Sequence, residues 1–345
     1  MILSTLILAD DITGALDSAV GYSGKGKTVV VARNPEAVPE ALKYAPDVLA
    51  INTSSREVSA EDAARRVATA LRYLDPMAIG AVLKKVDSRL KGNIGAETEV
   101  LIRWFKSVRC IACPAIPGMG RFVTRGALEG SGVEQPIPVA SKFNSIVEVP
   151  DVASDDDLDR LVKGNVDRVL WVGARGIAFA LARAAGVSLP VVERLQPPVM
   201  IANGSRDPVT QAQMAVLADR ASLIDAPDGI APKTHSLNFP LVLSISDGGA
   251  GISGHEAATH FAASTARLVR ENEPAALLIC GGESAHAILD QFGIAVLQVR
   301  AEVRPGLPLC EIRTERGRLQ FVTKSGGFGP PTLLAELLEE ASSRI

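Results

Sequence analysis

Leu3-Ser-Thr-Leu-Ile-Leu-Ala9-Asp10-Asp11-Ile12-Thr13-Gly14-Ala15 is the stretch whose reading decides the fold. An apolar run empties into two adjacent carboxylates, and an amphipathic segment around Leu16, Ala19 and Val20 follows. A buried strand that hands over to a helix in this way is half of a βα unit in a parallel sheet, and the carboxyl edge of such a sheet is where ligands bind. One aspartate is enough to cap the helix with Thr13. Both cannot cap, so the second acid points to chemistry, and Asp17, one helical turn on, is a third candidate.

Working outward, the same alternation recurs. Apolar, β-branched runs at 27–32, 47–52, 81–86, 108–113, 169–172, 199–202, 241–245, 275–280 and 295–299 read as strands. Helical patterns fall at 59–74, from 205 or 207 to 219, at 256–271 and at 331–341, with Ser59 and Asp62 placed as a capping box. The pattern predicts an α/β protein of two domains, each a largely parallel sheet flanked by helices, with a ligand cleft between them. A composition change at Leu195-Gln-Pro-Pro198 sets the boundary, giving domains 1–197 and 198–345. Between Pro114 and Pro150 the periodicity breaks and prolines and glycines cluster, which predicts a long ordered loop of the kind that usually serves function. The acidic run Asp155 to Asp157 suits the first turn of a solvated helix.

Composition narrows the function. With 47% hydrophobic and 22% charged residues the chain has ample material for two cores, and a net charge of -3 offers no field for wrapping a nucleic acid. The apolar N-terminal run is short and has no basic stretch before it, and no later run approaches the roughly twenty residues that cross a bilayer. These features predict a cytoplasmic protein without a membrane partner, and they are compatible with a homo-oligomer. Four cysteines are too few for a disulfide scaffold, and Cys110 and Cys113 lie in an apolar strand, where a core role fits best.

Three motifs mislead. Gly21-Tyr-Ser-Gly-Lys-Gly26-Lys27-Thr28 satisfies the P-loop pattern, but a helix precedes it and a strand follows, the reverse of what points helix amides at a phosphate. Gly249-Ala-Gly251-Ile-Ser-Gly254 fits a dinucleotide fingerprint and does lie between strand and helix. It lacks an acid at the end of the next strand to hold a ribose, and a dinucleotide-dependent oxidoreductase stays as the alternative reading. His255, Glu256 and His260 have the wrong spacing for a zinc helix. No side chain is assigned as a metal ligand.

Chemistry concentrates at strand ends. Lys84-Lys85-Val86-Asp87-Ser88-Arg89-Leu90-Lys91-Gly92-Asn93 packs both signs of charge after one strand, and Arg56 closes another. Cations suit a carboxylate, and an aspartate suits a hydroxyl proton. In the second half Ala202-Asn-Gly204-Ser205, Gly281-Gly282-Glu283-Ser284 and Lys324-Ser-Gly326-Gly327-Phe-Gly329 are three glycine-bearing exits, together suited to cradling a polyphosphate with backbone amides.

Taken in order, Ala9-Asp-Asp-Ile-Thr-Gly-Ala15, the 84–93 stretch with Gly95-Ala-Glu97, Pro114-Ala-Ile-Pro117 with Gly120-Arg121, Gly204-Ser205 with Thr210 and Gln211, and Lys324 to Gly329 resemble the four-carbon acid sugar kinase family over nearly the whole chain. The resemblance implies an N-terminal domain that binds a sugar acid such as a threonate, erythronate or 3-oxo-tetronate, and a C-terminal domain that binds ATP with Mg²⁺. On this reading Arg56, Lys85 and Arg89 hold the carboxylate beside Ser88, Asp10 or Asp11 orients hydroxyls at the substrate site, and Asp87 is the base, with Asp11 its catalytic companion. Ser205, Gly281, Gly282, Ser284, Gly326 and Gly327 meet the nucleotide, and Glu283 stands near its ribose or metal. The chain departs from the family at Arg89 and Lys91, at Glu283-Ser284, at Gly173-Ala-Arg-Gly176 and in a shortened 121–149 segment. A non-catalytic sugar-acid sensor is the remaining competitor, and the DNA-reading module such a regulator often carries is not recognisable.

Overall fold

The computed structural model describes residues 2–24, 26–107, 109–163, 168–187, 189–233 and 237–343. Val108 of the fifth expected strand region and Lys25 of the P-loop-like stretch lie outside them. The chain divides into two compact units, Met1–Val191 and Val192–Ile345, close to the composition change at Leu195.

In unit 1 the elements run β1 (Leu3–Ala9), α1 (Ile12–Ala19), β2 (Val29–Ala32), α2 (Val38–Leu42), β3 (Val48–Asn52), α3 (Ala60–Leu71), β4 (Ile79–Lys85), α4 (Ile94–Phe105), β5 (Arg109–Cys113), β6 (Arg121–Thr124), β7 (Ala127–Gly130), β8 (Ile137–Pro138), α5 (Asp155–Lys163), β9 (Val169–Gly173) and α6 (Arg175–Ala184). The main strands are ordered β2-β3-β1-β4-β9-β5, every neighbouring pair parallel. Leu6 to Ala9 and Val48 to Ile51 are fully buried, which is why they read as unbroken apolar runs. Each large aliphatic side chain so buried contributes roughly 1.5–3 kcal/mol. From β1 the chain crosses to β2, whereas from β3 it crosses β1 in the other direction to reach β4. With right-handed crossovers these connections lie on opposite faces, and α3 accordingly packs on α4 while α1 packs on α6. The strand order thus reverses at β1, so the ends of β1, β3 and β4 open onto a crevice.

The segment expected as a long loop stays mostly irregular but carries a small antiparallel sheet, β6-β7-β8. Arg125 and Gly126, at φ 49° and 73°, form the two-residue turn between Thr124 and Ala127. Among these strands only Val123 and Leu128 are buried, so the apolar alternation was too thin to read. Asp155 to Asp157 do open α5, where Asp157 accepts from the Ala153 and Ser154 amides at 3.0 and 2.9 Å.

Unit 2 comprises β10 (Val199–Asn203), α7 (Pro208–Leu217), β11 (Ser222–Pro227), β12 (Leu241–Ser246), α8 (Gly254–Asn272), β13 (Ala276–Cys280), α9 (Gly282–Gln291), β14 (Val296–Glu302), β15 (Pro308–Thr314), β16 (Gly317–Lys324) and α10 (Leu333–Ser342). The order is β11-β12-β10-β13-β16-β15-β14, parallel from β11 to β16 and antiparallel thereafter. Ile201, Leu278 and Val322 share a core with Leu334 and Leu338 of α10. Because β10, β13 and β16 are neighbours and parallel, the three glycine-bearing exits fall side by side along one sheet edge. Strands β11 and β15 were not anticipated, and of β16 only its exit at Lys324 was.

Candidate active site

In unit 1 the helix after β1 starts where the sequence places it. Asp11 is the N-cap of α1, accepting from the Gly14 amide at 2.7 Å and the Thr13 hydroxyl at 2.8 Å. Gly14 keeps this corner open: a Cβ there would stand 2.6 Å from Asp11 Oδ1 and 2.9 Å from Lys85 Nζ. The cap aspartate and the ammonium of Lys85 therefore share the space over the first turn of α1. Lys85 donates to the Val86 carbonyl at 2.9 Å.

Asp10 is buried and grips Arg56 with both oxygens, Nε to Oδ2 at 3.0 Å and Nη2 to Oδ1 at 2.9 Å. The same guanidinium reaches Asp11 Oδ2 at 2.9 Å and Asp87 Oδ2 at 3.8 Å through Nη1. Three carboxylates from the ends of β1 and β4 thus meet one arginine from the end of β3. Burial pushes the Asp10 carboxyl up, but Lys84, Arg56 and Lys85 together outweigh it and hold it below its ordinary value of 3.8. Burial likewise opposes charge on Arg56, and the aspartates overcome it and hold its pKa above normal.

Asp87 accepts from the Arg89 amide at 2.9 Å, which folds the 87–91 turn around its carboxylate. Ser88 is half-buried and Arg89 exposed on this turn. The structure therefore joins Asp10, Asp11, Arg56 and Asp87 directly, with Lys85 beside Asp10 and Asp11. Asp17 is turned elsewhere, paired with Arg175, whose guanidinium lies 3.9 Å over the Phe179 ring.

Two residues given no role in the sequence reading stand close by. Glu97, in the first turn of α4, is buried and pairs with buried Lys84 at 2.8 Å. An acid one turn into a helix that follows a charged strand end was the available signal. Arg121 of β6 feels the charges of both Arg89 and Asp87, and burial followed by Arg89 lowers its pKa against the pull of Asp87. Its signal was the Gly120-Arg121 pair.

In unit 2 the Gly204 amide donates to the Cys280 carbonyl and the Gly281 amide to the Lys324 carbonyl, tying the three exits together at 3.1 and 2.9 Å. At Gly204 a Cβ would stand 1.8 Å from Ser284 Oγ, so these two exits touch only because that residue is glycine. Ser205 Oγ accepts from the Asp207 amide at 3.2 Å and faces Gly326, while Asp207 caps α7 and lies beside Gly327. Gly282 begins α9, Ser284 is buried in its first turn and Glu283 is exposed. Lys324 is wholly buried: its ammonium donates to Thr210 Oγ1 at 2.9 Å and to the carbonyls of Ser325, Gly326 and Phe328 at 3.0, 3.3 and 3.2 Å. It shapes the 324–329 loop from inside.

The misleading motifs are also placed. The P-loop-like stretch follows α1 and precedes β2, and Lys27 pairs with Asp47 at 3.2 Å. In the stretch before α8 the Gly248 and Ala250 amides already donate to the Asp228 carboxylate at 3.0 and 3.2 Å, so a phosphate there would have to displace an internal anion. Cys110 and Cys113 are buried thiols, pushed up to about 12 chiefly by burial. No helix among the described residues is long and apolar enough to cross a membrane.

Comparison with known proteins matches the two halves separately. Residues 5–140 fit a model described as a sugar-binding N-terminal domain, and residues 242–334 one described as a nucleotide-binding C-terminal domain. A D-threonate kinase of Bordetella bronchiseptica is 27% identical, with 98% of this chain and 97% of that protein covered. A 3-oxo-tetronate kinase of Cupriavidus necator is 24% identical over 96% of each chain. Among solved structures, one from Haemophilus influenzae superposes with a TM-score of 0.72 at 18% identity, covering 98% of this chain and 99% of its own, which shows the shared fold. Fold, site and relatives together define a phosphotransferase with an alcohol group as acceptor. The chain belongs to the four-carbon acid sugar kinase family.

Proposed function

We propose that the protein transfers the γ-phosphoryl group of ATP to a hydroxyl of a four-carbon sugar acid of the threonate, erythronate or 3-oxo-tetronate class. The observation that carries this reading is the convergence of Asp10, Asp11 and Asp87 on Arg56 with Lys85 alongside. Such an edge presents carboxylates to hydroxyls and cations to a carboxylate. Lys85 and Arg89 hold the acid's carboxylate together with Arg56, whose guanidinium also sets the directions of the aspartates. Asp87 takes the proton of the accepting hydroxyl, and Asp10 and Asp11 fix the sugar's orientation. Names of relatives that act on D-threonate and 3-oxo-tetronate support the substrate class.

The glycine-lined edge of unit 2 suits a nucleotide, because Gly204, Gly281, Gly326 and Gly327 carry no side chain to keep an anion away from the main chain there. Ser205 and Ser284 stand among them, and Glu283 is the exposed carboxylate available to the ribose or to Mg²⁺. Bound with the triphosphate, the metal supplies charge neutralisation during transfer. ATP use fits a cytoplasmic enzyme. A coupled ADP-release assay over a panel of tetronates tests the proposal: acid-dependent turnover is expected with at least one of them, and none across the panel would refute it.

A further inference from the structure

Among the described residues, the most heavily buried charges in unit 1 lie behind the acid-binding edge. Lys84 and Glu97 are each 1% exposed and 2.8 Å apart. A pair so buried pays a desolvation cost that an apolar pair of similar volume would avoid, so its presence calls for a use other than stability. Its connections supply one. The second oxygen of Glu97 accepts from the Ser55 hydroxyl, which also lies 2.6 Å from Thr53 Oγ1. The Ser55 amide donates to the Asp10 carbonyl at 3.0 Å, and the Ser55 carbonyl accepts from the Asn93 side chain at 2.9 Å. Every polar group of Ser55 is thereby committed, in the residue directly before Arg56.

We infer that the Lys84–Glu97 pair, acting through Ser55, is a positioning device that fixes the Asp10–Arg56 pair at the acid-binding edge. Neither residue touches the acid in this account. Glu97 holds the main chain from which Arg56 projects, and Lys84 faces Asp10 from β4. The charged groups around Asp10 are Lys84 and Lys85 from β4 and Arg56 from the loop after β3, with Asp11 and Asp87 on the far side of that guanidinium. Removing Lys84 takes away the largest of the influences that keep Asp10 ionised.

The kinetic part of the test rests on the acid-kinase reading; the structural part does not. The double variant Lys84→Met/Glu97→Leu replaces the pair with apolar groups and should keep its urea midpoint near that of the parent protein. Its kcat/KM for the acid should fall about tenfold or more while KM for ATP stays put, and the acid limb of the pH profile should move to higher pH as Asp10 loses Lys84. Exchange of the Ser55 amide hydrogen should accelerate about tenfold or more. The single variant Glu97→Gln, if folded, should show the same exchange effect. A folded double variant with unchanged acid kinetics, an unmoved acid limb and a protected Ser55 amide would overturn the inference. Lack of turnover by the parent protein would count against the kinase reading alone, and the Ser55 exchange rate would then decide the network by itself.

Discussion

Gly204→Ala probes the contact on which the glycine-lined edge depends. The new Cβ would sit 1.8 Å from Ser284 Oγ and 2.7 Å from its Cβ, and neither distance is tolerable. Ser284 is buried in the first turn of α9, so rotating its hydroxyl still leaves the 2.7 Å conflict with its Cβ, and the start of α9 must shift. Overpacking of this kind costs about 1–3 kcal/mol of stability. The displacement falls where Gly282 and Ser284 are proposed to meet the nucleotide, so ATP affinity should drop at least tenfold, equivalent to roughly 1.4 kcal/mol. Gly249→Ala is the control: its Cβ meets nothing within 4 Å, and only its φ of 77° opposes the change. That strain costs about 1–2 kcal/mol and should leave ATP binding intact. Urea unfolding and calorimetric ATP titration of both variants separate the outcomes. Wild-type ATP affinity in Gly204→Ala, or a tenfold loss in Gly249→Ala, would refute the reasoning.

Asp87→Asn should lower kcat by about a hundredfold or more with an unchanged unfolding midpoint, and unaltered kcat would remove Asp87 from the base role. Lys27→Ala should lose only the half-exposed pair with Asp47, about 0–1 kcal/mol, and bind ATP normally; a tenfold loss of affinity would restore the P-loop reading. The folded pKa of Asp10 lies below its unfolded value near 3.8, so its stabilisation is complete above that value and is lost as pH falls through the depressed one. Urea midpoints measured from about pH 5 down to about pH 2 should therefore fall less steeply in Asp10→Asn than in the parent protein, and parallel curves would contradict the ion-pair assignment.

The parallel core announced itself because strands buried on both faces are continuous apolar runs, as β1, β3 and β13 show. Their ends announced the site, since charge or glycine directly after such a run has few structural reasons to be there. What escaped reading lacked either mark. Strand β11 alternates between buried and exposed residues, β15 and β16 meet at Glu315-Arg316 without a favoured turn pair, and β6 to β8 bury too little to show a period. Glu97 looked like an ordinary helix acid, because nothing local records that it faces Lys84 across the fold. Asp17 illustrates the opposite error: its spacing from Asp10 and Asp11 suggested a shared site, but α6 brings Arg175 to it instead.

The most direct test is phosphorus-31 NMR of the protein incubated with ATP, Mg²⁺ and each tetronate in turn. Loss of the γ-phosphate signal with the growth of a phosphate monoester on the acid is expected with at least one tetronate. ATP consumed only to inorganic phosphate, or left untouched with every acid, would contradict it.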